Sequence, residues 1–232
     1  MSRATVERAG PTPVVTSDGP VFLVGAGPAA AADLRLGQSV ARELVAADGG
    51  ARALIEAGFL PNAVIGDMDS LTDELRARIP AEIVHPIEDQ DSTDFEKCLT
   101  RIDAPLVLAA GFSGGRMDHL LAVFNAMVRH PQRRCVLVGP DDIGLLVPPV
   151  LEMAIPAGAT VSLFPLAPVA VQSQGLHWPG AGLPFRPDGQ VGTSNRAVGP
   201  VELTCDGPGM LLFLPRDLLG VLLEALAVEP RW

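Results

Sequence analysis

The sequence predicts an α/β fold with two domains: an N-terminal Rossmann-like domain on a parallel sheet and a C-terminal antiparallel β-sandwich domain. Between residues 21 and 140, short apolar runs alternate with amphipathic stretches, which is typical of strands and helices in a parallel sheet. After about Asp141 the helical periodicity mostly disappears and short β-rich runs follow. We therefore expect a flexible arm at residues 1–20, an α/β domain at 21–140, and a β-sandwich domain with a C-terminal helix at 141–232.

Apolar runs in the first domain predict its strands at residues 21–24, 44–47, 63–65, 83–85, 106–109 and 135–138. The stretches between them predict helices at residues 50–57, 72–79, 93–102 and 116–129. In the last of these helices the apolar residues recur at helical spacing, one face of the helix being apolar. The second domain has β-rich runs at residues 144–147, 160–163, 169–172, 201–204 and 210–214, a loop at 184–192, and a helical pattern at 217–228.

Composition excludes several classes of protein. Of the 232 residues, 48% are hydrophobic and 19% are charged, which is enough apolar material for a core and too little charge for a disordered chain. The net charge of −10 argues against a protein that binds nucleic acid or an anionic membrane by bulk electrostatics. An anionic substrate is compatible with this charge if a metal ion lies between the substrate and the protein.

The three cysteines are widely spaced and suggest neither a disulfide framework nor a zinc site. We therefore expect a reducing cytoplasmic location. The first twenty residues lack the pattern of a secretory signal, and no run of about 18 apolar residues predicts a membrane span.

Acidic residues follow four consecutive predicted strands. Asp48 follows the second strand, Asp67 and Asp69 follow the third, Asp94 lies beyond the fourth, and Asp118 lies beyond the fifth. Because ligands bind at the carboxyl ends of parallel strands, these side chains are expected at one edge of the sheet. One such Asp is readily explained as a helix cap or turn residue. Four loops together favour a site for Mg²⁺, which takes oxygen ligands alongside substrate phosphates.

Other motifs give weaker signals. Gly25 and Gly27 follow the first strand in a formal GxGxxA pattern, which fits either a phosphate-binding turn or a plain tight turn. The sequence has no P-loop, and the acidic run from Asp89 departs from the EF-hand pattern at its sixth and twelfth positions. The histidines show no HExxH pairing, and no GxSxG elbow supports a serine nucleophile.

Four blocks of the chain contain the acidic residues at the strand ends. They are Ala47-Asp48-Gly49-Gly50-Ala51, Gly66-Asp67-Met68-Asp69-Ser70, Asp89-Gln90-Asp91-Ser92-Thr93-Asp94-Phe95-Glu96-Lys97 and Gly114-Gly115-Arg116-Met117-Asp118-His119. In this order and spacing they resemble the thiamine pyrophosphokinase (thiamine diphosphokinase) family. The later Thr193-Ser194-Asn195, followed by Gly199, also fits that family. The resemblance covers about residues 21–215. It implies a transfer of pyrophosphate from ATP to the hydroxyl of thiamine, dependent on Mg²⁺, in a homodimer that holds thiamine between its subunits.

The resemblance also implies roles for individual residues. Metal binding is expected at Asp48, Asp67, Asp69 and Asp94, and catalysis at Asp69, Asp94, Asp118 and Arg116. The cofactor and substrates are expected to contact Asp48, Gly49, Gly50, Gln90, Thr93, Ser194 and Asn195. Arg116 stands at a predicted helix start after two glycines, where an Arg is suited to a bidentate phosphate contact. No aromatic residue follows Asn195 before Phe213, so the aromatic that stacks on thiamine in the family would have to be Trp178 or Trp232.

Two alternatives to this function stay open on the sequence, and a third is discounted. A pterin-type pyrophosphokinase on a related scaffold would use the same acids with a different acceptor pocket. A haloacid-dehalogenase-like phosphatase is suggested by the DxDxT-like run at Asp89, but its required downstream lysine is missing, since Lys97 lies too close. A catalytically silent nucleotide-binding module would bind ATP without releasing AMP.

Overall fold

The computed structural model describes residues 11–28, 31–180, 183–228, 230 and 232. The strands up to residue 138 are β1 (Val15–Thr16), β2 (Val21–Val24), β3 (Glu43–Ala47), β4 (Ala63–Gly66), β5 (Val84–Pro86), β6 (Ile102–Asp103), β7 (Val107–Ala110) and β8 (Cys135–Val138). The later strands are β9 (Asp142–Leu146), β10 (Val150–Met153), β11 (Thr160–Pro165), β12 (Val169–Leu176), β13 (Leu183–Phe185), β14 (Gly192–Cys205) and β15 (Met210–Pro215). The helices are α1 (Ala31–Val40), α2 (Gly50–Glu56), α3 (Asp73–Arg76), α4 (Asp94–Arg101), α5 (Met117–Arg129) and α6 (Leu219–Leu226).

A large mixed sheet organises the described part of the chain. Its strand order is β13-β12-β14-β11-β15-β9-β8-β7-β2-β3-β4-β5, with β10 paired to β14. The strands from β8 to β5 along this order pair in parallel, and the remaining pairs are antiparallel. The predicted α/β class is therefore confirmed.

The sheet does not stop at the expected boundary near Asp141, because β9 pairs antiparallel with β8. The long strand β14 extends the ladder further. Asn195 and Arg196 in its first part pair with β11, whereas its residues from Glu202 to Thr204 pair with both β10 and β12. One strand thus connects two antiparallel ladders.

Apolar side chains bury both faces of the parallel strands. On one face, Leu99 of α4 and Val123 of α5 pack in a cluster with Leu23 of β2. On the other face, Leu54 of α2 belongs to a cluster that continues to Leu222 of α6 and includes the ladder of β10, β12 and β14. Fully burying a Leu or Val side chain contributes about 1.5–3 kcal/mol, so this packing fixes α4 and α5 against the sheet.

Several sequence expectations need correction. The arm at residues 1–20 is not loose throughout, because Val15–Thr16 pair in parallel with Ile102–Asp103; its residues 1–10 lie outside the described part. The expected loop at 184–192 begins within β13, and the helix expected at 217–228 begins with a 3₁₀ turn and ends at Leu226. Helix α1 was not predicted: its Gly37 packs against Phe22, where a Cβ would lie 2.3 Å from a ring carbon.

Within the described ranges, no helix combines the length and apolar character needed to cross a membrane.

Candidate active site

The site lies where the strand order reverses. Strands β3, β4 and β5 lie on one side of β2, whereas β7 and β8 lie on the other. In such sheets the carboxyl ends at the reversal form a crevice that binds ligands. A cavity of about 400 Å³ opens here and is lined by the loops after β2 and β7 and by the first turns of α4 and α5. Asp67, Asp94 and Arg116 are among its lining residues.

Three carboxylates meet beside this cavity. Asp48, Asp67 and Asp94 each have a carboxylate oxygen within 4.8 Å of the others. Asp48 follows β3 and Asp67 follows β4, while Asp94 is the first residue of α4. The sequence argument from strand ends therefore places these three acids together as expected, although it does not test what they bind.

Asp48 carries an unsatisfied oxygen. The residue is 1% exposed, and its Oδ2 accepts a hydrogen bond from the backbone N–H of Ser70 at 3.2 Å. Its Oδ1 is buried and has no hydrogen-bond partner among the described residues. Burial raises the pKa of Asp48 to about 6. A buried polar atom without a partner is costly, and a hard cation held by carboxylate oxygens would satisfy it. The donor set therefore fits Mg²⁺.

Unusual backbone geometry coincides with the predicted site blocks. Among the described residues, the non-glycine residues with positive φ are Asp48 at 41°, Met68 at 69° and Ser194 at 60°. Met68 lies between Asp67 and Asp69. Such a conformation costs about 1–3 kcal/mol and is concentrated at functional sites in proteins. The strained backbone at each of these residues therefore supports a functional role for the sequence block that contains it.

Lys97 is a site residue that the sequence argument missed. It is 2% exposed, and its Nζ lies 2.8 Å from Asp67 Oδ2 and 3.1 Å from Asp94 Oδ1. Burial opposes its charge, but the hydrogen bonds to Asp67 and Asp94 prevail and raise the pKa of Lys97. The same contact lowers the pKa of Asp67. Two features of the sequence signalled it: Lys97 is the chain's one lysine, and it follows Asp94 by three residues on a helix.

Asp69 lies outside the group of three carboxylates. It is exposed, its Oδ1 accepts a hydrogen bond from the Ser70 hydroxyl at 3.0 Å, and its backbone N–H donates to Asp67 Oδ1 at 3.4 Å. These contacts hold Asp69 next to the cluster. Its role as a metal ligand and catalytic residue stays a prediction.

Arg116 and Asp118 pair with each other at the start of α5. Arg116 Nε donates to Asp118 Oδ1 at 3.1 Å, and both side chains are exposed. The hydrogen bond from Arg116 lowers the pKa of Asp118 to about 2. Asp118 is therefore a carboxylate at any physiological pH. A phosphate contact by Arg116 would require the guanidinium to exchange this partner, so its predicted role is not tested by the present arrangement.

Four further predicted residues lie at or just before the N-termini of α2 and α4. Gly49 caps α2 directly after Asp48, and Gly50 is the buried first residue of that helix. Thr93 caps α4, since its Oγ1 accepts a hydrogen bond from Glu96 N–H at 3.3 Å. Gln90 is exposed in the preceding loop. Thr93 thereby stabilises the N-terminus of the helix that carries Asp94.

Gly50 is required by a close backbone approach. A Cβ at this position would lie 2.0 Å from the carbonyl oxygen of Val24. We expect Gly50→Ala to destabilise the fold by about 3 kcal/mol and to lower the thermal midpoint by roughly 6–12 °C. Gly199→Ala is the matched control, because nothing lies within 4 Å of a Cβ there. Calorimetry showing equal midpoints for the two variants would refute this packing argument.

The glycine turn after β2 has a similar cause. The N–H of Gly27 donates to the carbonyl of Gly111 at 2.8 Å, and a Cβ at Gly25 or Gly27 would lie 2.6 Å from that oxygen. These glycines let the loops after β2 and β7 pack together. This packing between loops explains both glycines, and both loops also line the cavity, so a phosphate-binding role for the turn stays a prediction.

A second cavity of about 210 Å³ lies in the later part of the chain and is lined by Trp178, Phe185 and Asn195 among others. Asn195 is buried: its Nδ2 donates to the carbonyl of Trp178 at 2.7 Å, and its Oδ1 accepts from the Trp178 N–H at 3.1 Å. The Trp178 side chain is 61% exposed. Asn195 therefore fixes the backbone of Trp178, and its effect on a ligand would act through that residue.

The other predicted residues of this region differ in their surroundings. Ser194 is exposed, and its backbone N–H donates to Ser162 Oγ at 2.9 Å. Trp232 donates from Nε1 to the carbonyl of Val147 at 2.8 Å and packs against the core. Of the two tryptophans proposed from the sequence as stacking partners, Trp178 is the one that lines a cavity with Asn195.

Models of two domains of a single enzyme family match this chain. The catalytic domain of thiamin pyrophosphokinase matches residues 38–138, and its vitamin B1 binding domain matches residues 151–209. Thiamine pyrophosphokinase 1 of Arabidopsis thaliana is 27% identical over 174 residues, which cover 67% of this chain and 65% of that protein. Thiamine pyrophosphokinase 1 of rice, Oryza sativa subsp. japonica, is 29% identical over 190 residues, covering 67% and 72%. The chain thus spans slightly less than two thirds of the Arabidopsis relative.

Solved structures share the fold. The thiamin pyrophosphokinase of Candida albicans superposes with a TM-score of 0.74 at 16% identity, covering 90% of this chain and 95% of that chain. The yeast thiamin pyrophosphokinase gives a TM-score of 0.72 at 17% identity, covering 94% and 96%. At these identities the structures establish the fold alone. Because the two domain models of one family match most of its length in succession, the chain belongs to the thiamin pyrophosphokinase family.

Proposed function

We propose that this protein transfers pyrophosphate from ATP to the hydroxyl of thiamine, giving thiamine diphosphate and AMP, with Mg²⁺ as its cofactor. The match to both domain models supports this reaction. The observation that carries it is the buried Asp48 Oδ1, which has no partner among the described residues and belongs to a cluster of three carboxylates beside a cavity. Such a cluster favours a bound cation, and a cation allows an acidic protein to hold a polyphosphate.

The chain's residues divide the chemical tasks as follows. Asp48, Asp67 and Asp94 would hold Mg²⁺, with Asp69 at the edge of the group. When bound, Mg²⁺ supplies charge neutralisation at the phosphate oxygens. Phosphoryl-type transfer depends mainly on positioning and charge stabilisation, so the protein needs no covalent nucleophile.

The first turn of α5 would act on the reacting groups. Arg116 is suited to bind a phosphate once it leaves Asp118. Asp118 is then an exposed carboxylate without its arginine partner. It is suited to accept a hydrogen bond from the thiamine hydroxyl and to orient it.

Thiamine would be held by the second cavity. Trp178 lines this cavity and offers an exposed ring suited to a cationic heterocycle. Ser194 lies between two of its lining residues, Thr193 and Asn195, and offers an exposed hydroxyl at its edge. Gln90 remains a candidate partner for the aminopyrimidine. This assignment supports a division of labour in which the Rossmann-like domain at residues 21–140 binds ATP and metal, and the sandwich domain at residues 141–232 binds thiamine.

A homodimer would bring the two cavities of different subunits together. The two cavities share no lining residue, and α5 exposes Met117 at 82% and Leu121 at 65% beside the first of them. Exposed apolar side chains at the edge of a site favour a protein interface. We expect sedimentation at micromolar concentration to give a dimer. A monomer under these conditions would contradict the shared site.

An AMP-release assay tests the reaction. Thiamine, ATP and Mg²⁺ are supplied together and then omitted one at a time. We expect AMP only in the complete mixture. AMP formed with a hydroxymethyl pterin in place of thiamine would indicate the pterin-type enzyme, and ATP binding by calorimetry without AMP release would indicate a silent module.

A further inference from the structure

Lys97 places a positive charge inside the acid cluster. Its Nζ bridges Asp67 and Asp94, two of the three carboxylates that fit a metal ion. The ammonium therefore occupies part of the electrostatic role that a divalent ion would fill. Asp48 is left with its unpartnered oxygen, so the cluster is only partly neutralised without metal.

The position of this ammonium is fixed by packing. Lys97 follows the cap of α4 by one turn, and its N–H donates to the carbonyl of Thr93 at 2.8 Å. Its neighbours Cys98 and Leu99 are fully buried in the core. The side chain is 3% exposed, so the ammonium is held away from bulk solvent at the wall of the larger cavity.

We propose that Lys97 is a positioning residue: a resident counter-ion that holds Asp67 and Asp94 together and weakens their binding of free divalent metal. Metal uptake then depends on the nucleotide, whose negative charge offsets the ammonium. The dependence of metal uptake on the nucleotide rests on the proposed function. The weakened binding of free metal rests on the distances and burial at Lys97 alone.

Two other roles for Lys97 make different predictions. If the side chain only stabilised α4, its loss would lower stability without strengthening metal binding. If it only bound phosphate, its loss would weaken nucleotide binding and leave the affinity for free metal unchanged. In our proposal, Coulomb repulsion acts between the ammonium and a divalent ion a few ångströms away. Loss of the ammonium therefore strengthens the binding of free metal.

The test is a titration of Lys97→Met with Mn²⁺ alone, followed by electron paramagnetic resonance. Met keeps the length of the apolar stem and removes the charge. We expect the Kd for free Mn²⁺ to fall by about tenfold or more. An ATP analogue that cannot be cleaved should strengthen Mn²⁺ binding less in the variant than in the wild type, because the variant has no ammonium for the nucleotide charge to offset. The coupling is reciprocal, so Mn²⁺ should also strengthen binding of the analogue less in the variant.

Two control variants separate charge from packing. Lys97→Arg keeps the charge and should leave the Mn²⁺ affinity within about threefold of the wild type. Arg129→Met removes a positive charge from α5, where Arg129 forms an ion pair with Glu96, the residue before Lys97 on α4. This variant should leave the Mn²⁺ affinity unchanged. The metal-dependent rise in thermal midpoint should be larger for Lys97→Met than for either control.

Unchanged or weaker Mn²⁺ binding by folded Lys97→Met would overturn the inference. If that variant is unfolded in metal-free buffer, recovery of the fold in millimolar Mn²⁺ supports the inference, and failure to recover overturns it. A wild type that shows these Mn²⁺ affinities but releases no AMP would refute the proposed function and leave the inference about free metal standing.

Discussion

Replacing Asp67 by Asn is expected to lower turnover about a thousandfold and to leave the fold intact. Asp67 shares the acid cluster with Asp48 and Asp94 and lines the larger cavity. Metal stabilisation of phosphate charge is worth several kcal/mol, and about 4 kcal/mol corresponds to this factor. Asn keeps the size of the side chain and a carbonyl oxygen that can accept from Lys97, and Asp94 remains as the charged partner of that ammonium, so we expect the fold to be retained. Steady-state and single-turnover kinetics measure the loss of turnover, and an Mn²⁺ titration measures the accompanying loss of metal affinity.

Asp188→Asn is the matched control for this prediction. It makes the same chemical change at an exposed carboxylate that pairs with Arg186, in the later part of the chain. Its turnover should stay within about twofold of the wild type, since surface changes of this kind have small effects. Near-normal turnover of Asp67→Asn at ordinary Mg²⁺ would remove Asp67 from the metal site.

Replacing Ser194 by Ala is expected to raise the apparent KM for thiamine and to leave the KM for ATP unchanged. Loss of a hydrogen bond to a buried polar group of the ligand costs about 1–3 kcal/mol, which corresponds to roughly 5- to 150-fold. Ser194 lies between Thr193 and Asn195, which line the second cavity, so this result would support thiamine binding there. Steady-state kinetics with each substrate varied in turn measures the two constants separately.

Ser194→Gly separates the hydroxyl from the backbone. Ser194 has a φ of 60°, which glycine adopts without strain. Both variants remove the hydroxyl, so both should raise the KM for thiamine to a similar extent. If the KM for thiamine rises in Ser194→Ala and not in Ser194→Gly, the effect comes from the backbone. If the KM for ATP rises instead, the division of labour between the two cavities is wrong.

The acid cluster was predictable because its cause is local and regular. Asp48 and Asp67 each come directly after a short apolar run, and parallel strands bring their carboxyl ends to one edge. Asp94 follows Thr93, a residue type that commonly caps helices. The α/β class followed from the same alternation of runs. What these acids bind is a chemical inference that the arrangement supports without testing.

Other features depend on contacts between residues that are distant in the sequence, and sequence patterns do not reveal such contacts. Lys97 pairs with Asp67 thirty residues away, so its burial could not be inferred from helix α4 alone. Asn195 hydrogen-bonds to the backbone of Trp178, which is 17 residues away in the sequence. Helix α1 carries alanines and a glycine with little periodic signal, and its position is set by Phe22 under Gly37. Tertiary packing decided each of these cases.

Phosphorus NMR of a complete reaction tests the proposed transfer most directly. The protein, thiamine, ATP and Mg²⁺ are incubated together, and every phosphorus-containing product is identified. The proposed attack at the β-phosphorus predicts AMP and thiamine diphosphate in equal amounts, with no ADP at any time. Thiamine monophosphate formed together with ADP would show attack at the γ-phosphorus and contradict a pyrophosphate transfer.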